Sequence, residues 1–188
     1  RFAAVTNVRE PGMAKGAQSR GFLTRSFLTA ESTAEEYASK LVGAQYSGFN
    51  LLLSDGNTLV YCSNRDGNPR PLAPGIYGLS NHLLDSPWPK LVAARERFAK
   101  ALPRLPDESA FFDLLADQAI VADENLPSTG VPIEWERLLS AIFVKSESYG
   151  TRASTLVWQA ADGNIMVHEN RFGSNGQPLQ SSVISTSE

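Results

Sequence analysis

Three short clusters of polar side chains hold the residue types that could do chemistry in this chain. They are Thr6-Asn7-Val8-Arg9-Glu10, Ser80-Asn81-His82 and Tyr149-Gly150-Thr151-Arg152-Ala153-Ser154-Thr155. An asparagine amide can donate to a developing oxyanion, and an arginine can hold a carboxylate or orient a reacting group. Asn7, Asn81 and Arg152 could therefore line one site. The alternative is structural, with both asparagines closing turns and Arg152 paired to an acidic neighbour.

The other reactive residue types favour no standard chemistry. The sequence has no glycine-rich nucleotide-binding motif, no phosphate-binding loop and no Gly-x-Ser-x-Gly nucleophile turn. Neither His82 nor His168 has a histidine or acidic partner at metal-ligand spacing, so we predict no metal site and no cofactor. Cys62 lies inside a predicted strand, where a free cysteine is typically a small buried apolar group.

Composition narrows the class of protein and of partner. The chain has 188 residues, a formal net charge of -3 and no run of Lys or Arg, so nucleic-acid binding lacks electrostatic support. No apolar segment reaches the ~20 residues that span a bilayer. Cys62 is the only cysteine, which excludes an internal disulfide and favours a reducing compartment. We therefore expect a cytoplasmic protein.

Strand and turn signals place the polar clusters at strand ends. The predicted strands are residues 1–7, 49–54, 58–63, 70–73, 76–80, 152–159 and 164–171. Asp55-Gly56-Asn57 and Ala160-Ala161-Asp162-Gly163 each separate two strand patterns, which predicts two hairpins. The apolar run Leu51-Leu52-Leu53 indicates a strand that is covered on both faces.

Helix signals occupy the stretches between these strands. Residues 21–29 have helical apolar spacing, and Ser32 or Thr33 with Glu35 or Glu36 forms a capping box for a second helix to about residue 44. Ser86 is predicted to cap a third helix that has Pro87 as its first residue and continues to residue 102. Asp107 is predicted to cap a fourth helix, and residues 133–141 form a fifth.

The element order indicates the fold class. Hairpins replace strand–helix–strand alternation, which favours antiparallel sheets and an α+β architecture. We predict a single domain over residues 1–172 and a polar C-terminal tail over residues 173–188 that is loose at its end. The first residues, from Arg1, already have a strand pattern and include no initiator Met, so we expect further residues upstream.

Five motifs in order resemble the transport and Golgi organization protein 2 family, also called the NRDE family. They are Phe2 to Arg9, Gly48 to Leu52, Tyr61 to Arg65, Gly78 to His82 with Pro87-Trp88-Pro89-Lys90, and Tyr149 to Thr155. That family is similar to N-terminal nucleophile hydrolases of the choloylglycine hydrolase and penicillin acylase kind. The resemblance implies a four-layer αββα sandwich, whose first strands would lie upstream of Arg1.

The resemblance also implies roles for individual residues. Family members typically begin Met-Cys, with an Asn-Arg-Asp-Glu motif shortly after; Asn64-Arg65-Asp66-Gly67 lacks the Glu and is a different turn. The cysteine nucleophile would therefore lie upstream, and this chain alone would be inactive. Asn7 and Asn81 would hold the oxyanion or the substrate, Arg152 would stabilise the ionised nucleophile, and His82 would contact substrate.

Two functions from different classes follow from the resemblance. The first is an amidohydrolase that cleaves the C–N bond of a small-molecule amide. The second is a non-catalytic binding or carrier protein for haem or an acyl lipid, with a role in the secretory pathway. The residues upstream of Arg1 discriminate between them, because only the enzyme needs the N-terminal cysteine.

Overall fold

Two antiparallel sheets, each accompanied by its own helices, make up the chain. The computed structural model describes residues 1–186, which divide into two compact units, Arg1–Pro87 and the residues from Trp88 onward. The predicted α+β class with antiparallel sheets is confirmed. The single domain over residues 1–172 stays a prediction. Within residues 1–186, no helix has the length and apolar character needed to cross a bilayer.

The first unit is built on a four-stranded sheet. Its elements are β1 (Phe2–Asn7), α1 (Gly21–Leu28), α2 (Ala34–Ser39), β2 (Phe49–Ser54), β3 (Leu59–Ser63) and β4 (Arg70–Pro71). The strands are ordered β1-β2-β3-β4 and all neighbours are antiparallel. The predicted first strand and first hairpin are therefore confirmed, while the second helix ends at Ser39 and is shorter than predicted.

Alternation along the strands decides what each face of this sheet contacts. Leu51, Leu53 and Val60 are fully buried in one apolar core with Leu23 and Phe27 of α1. Leu52, on the opposite face, is half-buried. Successive strand residues point to opposite faces of the sheet. Leu51 and Leu53 are thus fully covered on one face, and Leu52 is partly covered on the other.

The turn of the β2–β3 hairpin also fixes the start of α2. Asp55 accepts hydrogen bonds from the backbone N–H groups of Asn57 and Thr58, and its second oxygen accepts one from Ala34 N–H at 2.9 Å. These N–H donors hold the pKa of the Asp55 carboxyl down, to about 2. Thr33 and Glu36 complete the predicted capping box at the same helix end.

Residues 78–85 form a closed loop, hereafter the Gly78–Asp85 loop, where the sequence predicted a strand. Asp85 has a positive φ of 57°, its side chain accepts a hydrogen bond from Gly78 N–H, and its own N–H donates to Gly78 O. The predicted strand over residues 76–80 is wrong. The backbone oxygen of Ser80 accepts a hydrogen bond from the Thr6 hydroxyl at 2.8 Å, which takes the place of pairing with a neighbouring strand.

An ion pair anchors the start of the long segment after β1. Glu10 binds Arg65 through two hydrogen bonds of 2.7 and 2.8 Å and also accepts one from Gly48 N–H at 2.8 Å. The hydrogen bond from Arg65 lowers the pKa of the Glu10 carboxyl. A side chain on Gly48 would place its Cβ 2.5 Å from the Glu10 Oε1 atom, so the Glu10 carboxylate would have to move.

The second unit has helices first and then a three-stranded sheet. Its elements are α3 (Pro89–Ala101), α4 (Ser109–Leu115), α5 (Ile133–Ser140), β5 (Ala153–Gln159), β6 (Ile165–Phe172) and β7 (Pro178–Ser185), with strand order β5-β6-β7. Phe98 of α3 packs edge-on against Phe111 of α4, with ring centroids 5.2 Å apart. The predicted second hairpin is confirmed as β5 and β6.

Three predictions in and before this unit need correction. The N-cap position of α3 is Trp88, without a capping hydrogen bond from its side chain, and Pro89 is the first helical residue. Ser86 does not cap it, because its hydroxyl donates to Leu83 O at 2.7 Å instead. Asp107 accepts a hydrogen bond from Ser109 N–H, but the N-cap position of α4 is Glu108. The predicted tail also contains an ordered strand, because residues 178–185 form β7, which pairs with β6; residues 187–188 lie outside the described residues.

We predict that Asp55→Asn destabilises the protein by about 1 to 2 kcal/mol, because an amide nitrogen cannot accept the hydrogen bond from Ala34 N–H. The measurement is urea unfolding from pH 7 to pH 2. A lowered pKa stabilises the fold above the ordinary carboxyl range of about 4, and this contribution disappears as the pH falls towards 2. The difference between variant and wild type should therefore shrink across that window. A difference that does not depend on pH would contradict this role.

We predict that Gly48→Ala destabilises the protein by about 1 to 3 kcal/mol, because the new methyl group displaces the Glu10 carboxylate from its donors. Gly67→Ala is the matched control, since a Cβ there meets nothing within 4 Å. Chemical denaturation of both variants compares them directly. Equal stability of the two variants would show that the contact between Glu10 and Gly48 is not constraining.

Candidate functional site

Asn7 and Asn81, which were predicted to line one site, contact each other in the first unit. The Asn81 side-chain N–H donates to the backbone oxygen of Asn7 at 3.1 Å, and Arg9 N–H donates to the backbone oxygen of Asn81 at 2.7 Å. The end of β1 and the Gly78–Asp85 loop are thereby tied side by side. The Asn81 side chain thus links two segments that are 74 positions apart along the chain, and its amide keeps a second N–H.

The Asn7 side chain differs from that of Asn81. Asn7 is exposed, and among residues 1–186 its amide forms no hydrogen bond. It lines a cavity of about 170 Å³ with Glu10, Arg20 and Ser47. Arg20 also donates to Gly48 O at 2.8 Å, so a cation and a carboxylate are both fixed in this wall. The cavity can therefore take a small polar ligand, with the Asn7 amide available for hydrogen bonding.

His82 is held in place beside this pair of asparagines. Its Nδ1 atom lies 2.7 Å from the Ser86 hydroxyl oxygen, and that hydroxyl donates its proton to Leu83 O at 2.7 Å. Since a hydroxyl has one proton to donate, Nδ1 carries the proton in the contact with Ser86. The His82 side chain is exposed, and its ring is positioned by Ser86, directly after the loop.

Asn50, which the sequence analysis did not identify, anchors the Gly78–Asp85 loop to the sheet. Asn50 in β2 is fully buried, and its amide donates to His82 O at 2.8 Å and to the Thr6 hydroxyl at 3.1 Å. Its oxygen accepts from the Tyr61 hydroxyl at 2.9 Å, and that hydroxyl in turn lies 3.3 Å from Leu84 N–H. The available signal was one amide side chain in the otherwise apolar run Phe49 to Leu53.

Asn64 was also missed as a structural residue. Its side-chain oxygen accepts from Phe49 N–H at 2.9 Å, and its side-chain nitrogen donates to the backbone oxygens of Gly43 and Tyr46. Together with the Arg65–Glu10 ion pair, these contacts make Asn64-Arg65 a framework for the strand ends. The Asn64-Arg65 dipeptide therefore supports the neighbourhood of Asn7 through hydrogen bonds to the backbone.

Arg152, the third predicted residue, belongs to the second unit. It precedes β5, its backbone oxygen accepts from Phe172 N–H at 2.9 Å, and its side chain is exposed. Within residues 1–186 its guanidinium forms no ion pair, so the predicted pairing with an acidic neighbour is not seen there. The meeting of Arg152 with Asn7 and Asn81 in one site stays a prediction.

The environment of Cys62 decides whether its thiol can react. Cys62 is buried in the core of the first unit, as predicted, and burial raises the pKa of its thiol to about 11. Almost none of it is thiolate near neutral pH, so Cys62 is unsuited to act as a nucleophile.

Among residues 1–186, no three His, Cys, Asp or Glu side chains are grouped to hold a metal ion.

Comparison with known proteins agrees with the motifs. A family model described as Transport and Golgi organisation 2 matches residues 1–174. The chain is 36% identical over 188 residues to the Transport and Golgi organization protein 2 homolog of Bos taurus, covering 90% of this chain and 67% of that protein. The Homo sapiens homolog is 34% identical over 187 residues and the Mus musculus homolog 31% over 189, with the same coverage. The chain belongs to the Transport and Golgi organisation 2 family.

Proposed function

We propose that this chain is the larger part of a cysteine N-terminal nucleophile amidohydrolase that cleaves the C–N bond of a small amide. The proposal includes the four-layer αββα sandwich, a nucleophile upstream of Arg1 and a cytoplasmic location. The observation that carries it is the exposed Asn7 amide at a polar cavity, with Asn81 bonded against its backbone. An amide N–H in this position can stabilise the negative charge that develops when a thiolate attacks a carbonyl.

In this proposal the chemistry would divide between an upstream cysteine nucleophile and residues of this chain. The terminal cysteine would attack the amide carbonyl, and its own α-amino group would accept the thiol proton. Asn7 would donate to the oxyanion, Asn81 would fix the backbone of Asn7, and His82 would contact the substrate from the neighbouring loop. Arg152 would stabilise the thiolate, because a nearby cation favours the charged form of a thiol.

The cavity limits the size of the group bound beside Asn7. Its volume of about 170 Å³ is below the roughly 300 Å³ at which pockets for drug-sized ligands begin. A short acyl or amide group fits this space. The fixed Glu10 and Arg20 charges favour a ligand that has both a donor and an acceptor near its reacting bond.

The second candidate is a binding or carrier protein without turnover. The observation that favours it is the hydrogen bond between Asn81 and the Asn7 carbonyl, which gives the Asn81 amide a structural role. The names of the relatives refer to transport and Golgi organisation. In this case the same cavity would hold an acyl ligand and release it unchanged.

Covalent labelling of the complete encoded protein separates the two candidates. We expect an aliphatic β-lactone to acylate an N-terminal cysteine, with the adduct located by mass spectrometry of the terminal peptide. Asn7→Ala should slow labelling by about 100-fold, because one oxyanion donor is worth about that much. Asn57→Ala, in the exposed turn between β2 and β3, is the matched control and should label at the wild-type rate.

Two outcomes would count against the enzyme. A protein whose encoded start lacks cysteine, or which forms no adduct with lactone and activated-amide probes, would support the carrier instead. An adduct that forms equally fast in Asn7→Ala and Asn57→Ala would leave a reactive cysteine but remove Asn7 from the oxyanion site. Cys62 cannot supply a misleading adduct in the folded protein, because it is buried and its thiol pKa is raised.

A further inference from the structure

A serine, a histidine and a glutamate form a chain of hydrogen bonds in the second unit. The Ser181 hydroxyl oxygen lies 3.0 Å from Nε2 of His168, and Nδ1 of His168 lies 2.6 Å from Oε2 of Glu108. The three residues come from β7, β6 and the turn before α4. His168 and Glu108 are 60 positions apart along the chain, so no sequence motif links them.

The hydrogen bonds determine which nitrogen of His168 carries the proton. The contacts with His168 and Trp158 hold the pKa of the Glu108 carboxyl below its usual range despite partial burial, so the ionised group can only accept. In neutral His168, Nδ1 therefore donates to Glu108, and Nε2 presents its lone pair to the Ser181 hydroxyl. This is the tautomer that a general base for serine needs.

Two aromatic residues hold the histidine and the glutamate in this arrangement. Trp158 donates its indole N–H to the other oxygen of Glu108 at 2.9 Å. The ring of Phe112 in α4 packs edge-on against His168, with centroids 4.5 Å apart. The side chains of His168 and Glu108 are about one fifth exposed, at 22% and 20%. The pair is thus oriented by the protein and still open to solvent at Ser181.

The strand that carries Ser181 offers an oxyanion donor. Thr186 N–H donates to Ile165 O, which identifies Ile165 and Thr186 as a hydrogen-bonded pair. Hydrogen-bonded and non-hydrogen-bonded pairs alternate in an antiparallel ladder, so Ser181, opposite Asn170, is in a non-hydrogen-bonded pair. Its backbone N–H points away from β6, towards the outer edge of β7. A nucleophile's own N–H is a common oxyanion donor.

The residues beside Ser181 indicate the acyl group. Val183 lies two positions after Ser181 on the same face of β7 and is 59% exposed, and Leu179, at the shift in pairing register, is 62% exposed. Large apolar side chains this exposed can pack against an aliphatic acyl chain once its carbonyl reaches Ser181. The flanking surface has no charged side chain on β7, since that strand reads Pro-Leu-Gln-Ser-Ser-Val-Ile-Ser.

We propose that Ser181, His168 and Glu108 form a second reactive site, which hydrolyses esters of short aliphatic acids independently of any N-terminal cysteine. Ser181 Oγ bonds to the acyl carbon while its proton moves to His168 Nε2. The C–O bond to the alcohol then breaks, and the alcohol leaves with that proton. Water repeats the sequence on the acyl-serine, releasing the acid and restoring Ser181. Glu108 acts as a positioning residue through His168.

The test uses this 188-residue chain, a fluorophosphonate probe and p-nitrophenyl butyrate. The probe forms a P–O bond to an activated serine and loses fluoride, and peptide mass spectrometry locates the adduct. We expect the adduct on Ser181 in the wild type and none in Ser181→Ala. Ser182→Ala is the matched control, because Ser182 lies on the other face of β7, and it should label normally.

Variants of the base and of its partner complete the test. His168→Gln should slow both labelling and butyrate release by about 100-fold or more, the usual contribution of a general base. Glu108→Gln should slow them while near-ultraviolet circular dichroism shows that the Trp158 environment is kept. A wild-type protein without an adduct on Ser181 would overturn the proposal. So would a His168→Gln variant that is folded by circular dichroism and reacts at the wild-type rate.

The proposal is separable from the N-terminal nucleophile. Labelling of Ser181 in this chain does not require residues before Arg1, whereas lactone labelling of a terminal cysteine does. Ser181→Ala in the complete protein should leave the cysteine adduct unchanged and remove the phosphonate adduct. If Ser181→Ala abolishes both adducts while the protein stays folded, the two sites are not independent and this inference fails.

Discussion

The first unit depends on one buried amide, the side chain of Asn50. It is fully buried between β1, β3 and the Gly78–Asp85 loop, and it exchanges three hydrogen bonds with Thr6, Tyr61 and His82. A buried polar group that loses its partner costs about 1 to 3 kcal/mol, so each of these groups depends on the others being in place. The loop and the sheet are therefore stable as a pair.

This constraint determines where the candidate functional groups lie. Once the backbone of His82 is bound to Asn50, the preceding residue Asn81 is brought against Asn7, and Arg9 N–H is satisfied by Asn81 O. The Glu10–Arg65 ion pair then fixes the other wall of the cavity. A loop of irregular backbone is thus given a defined position by side chains from regular strands, which is how many binding sites are built.

Local sequence rules predicted the parts of the fold that local interactions determine. The Asp-Gly turn and its flanking apolar runs predicted the first hairpin correctly, and Thr33 with Glu36 predicted the capping box. Those signals depend on neighbours within about four residues. The antiparallel α+β class followed, because hairpins exclude the alternating strand–helix pattern of parallel sheets.

The errors arose where distant contacts override local preference. Residues 76–80 have a strand pattern, but the hydroxyl of Thr6, more than seventy positions away, takes the Ser80 carbonyl. Ser86 has the composition of a cap, but it bonds to its own loop, and α3 begins three residues later. His168 and Glu108 are separated by 60 positions. Contacts between residues as far apart as Thr6 and Ser80, or Glu108 and His168, leave no pattern in the local spacing of residue types.

Native-state hydrogen exchange of Asn50→Leu tests the dependence of the loop on Asn50 most directly. Leucine keeps the volume and removes all three hydrogen bonds. The amide of Arg9, which bonds to Asn81 O, reports whether the loop is seated, and the amide of Ala34, which bonds to Asp55, reports the rest of the unit. We predict that exchange at Arg9 accelerates at least about tenfold more than exchange at Ala34. Equal acceleration at both amides, or none at Arg9, would contradict the central role of Asn50.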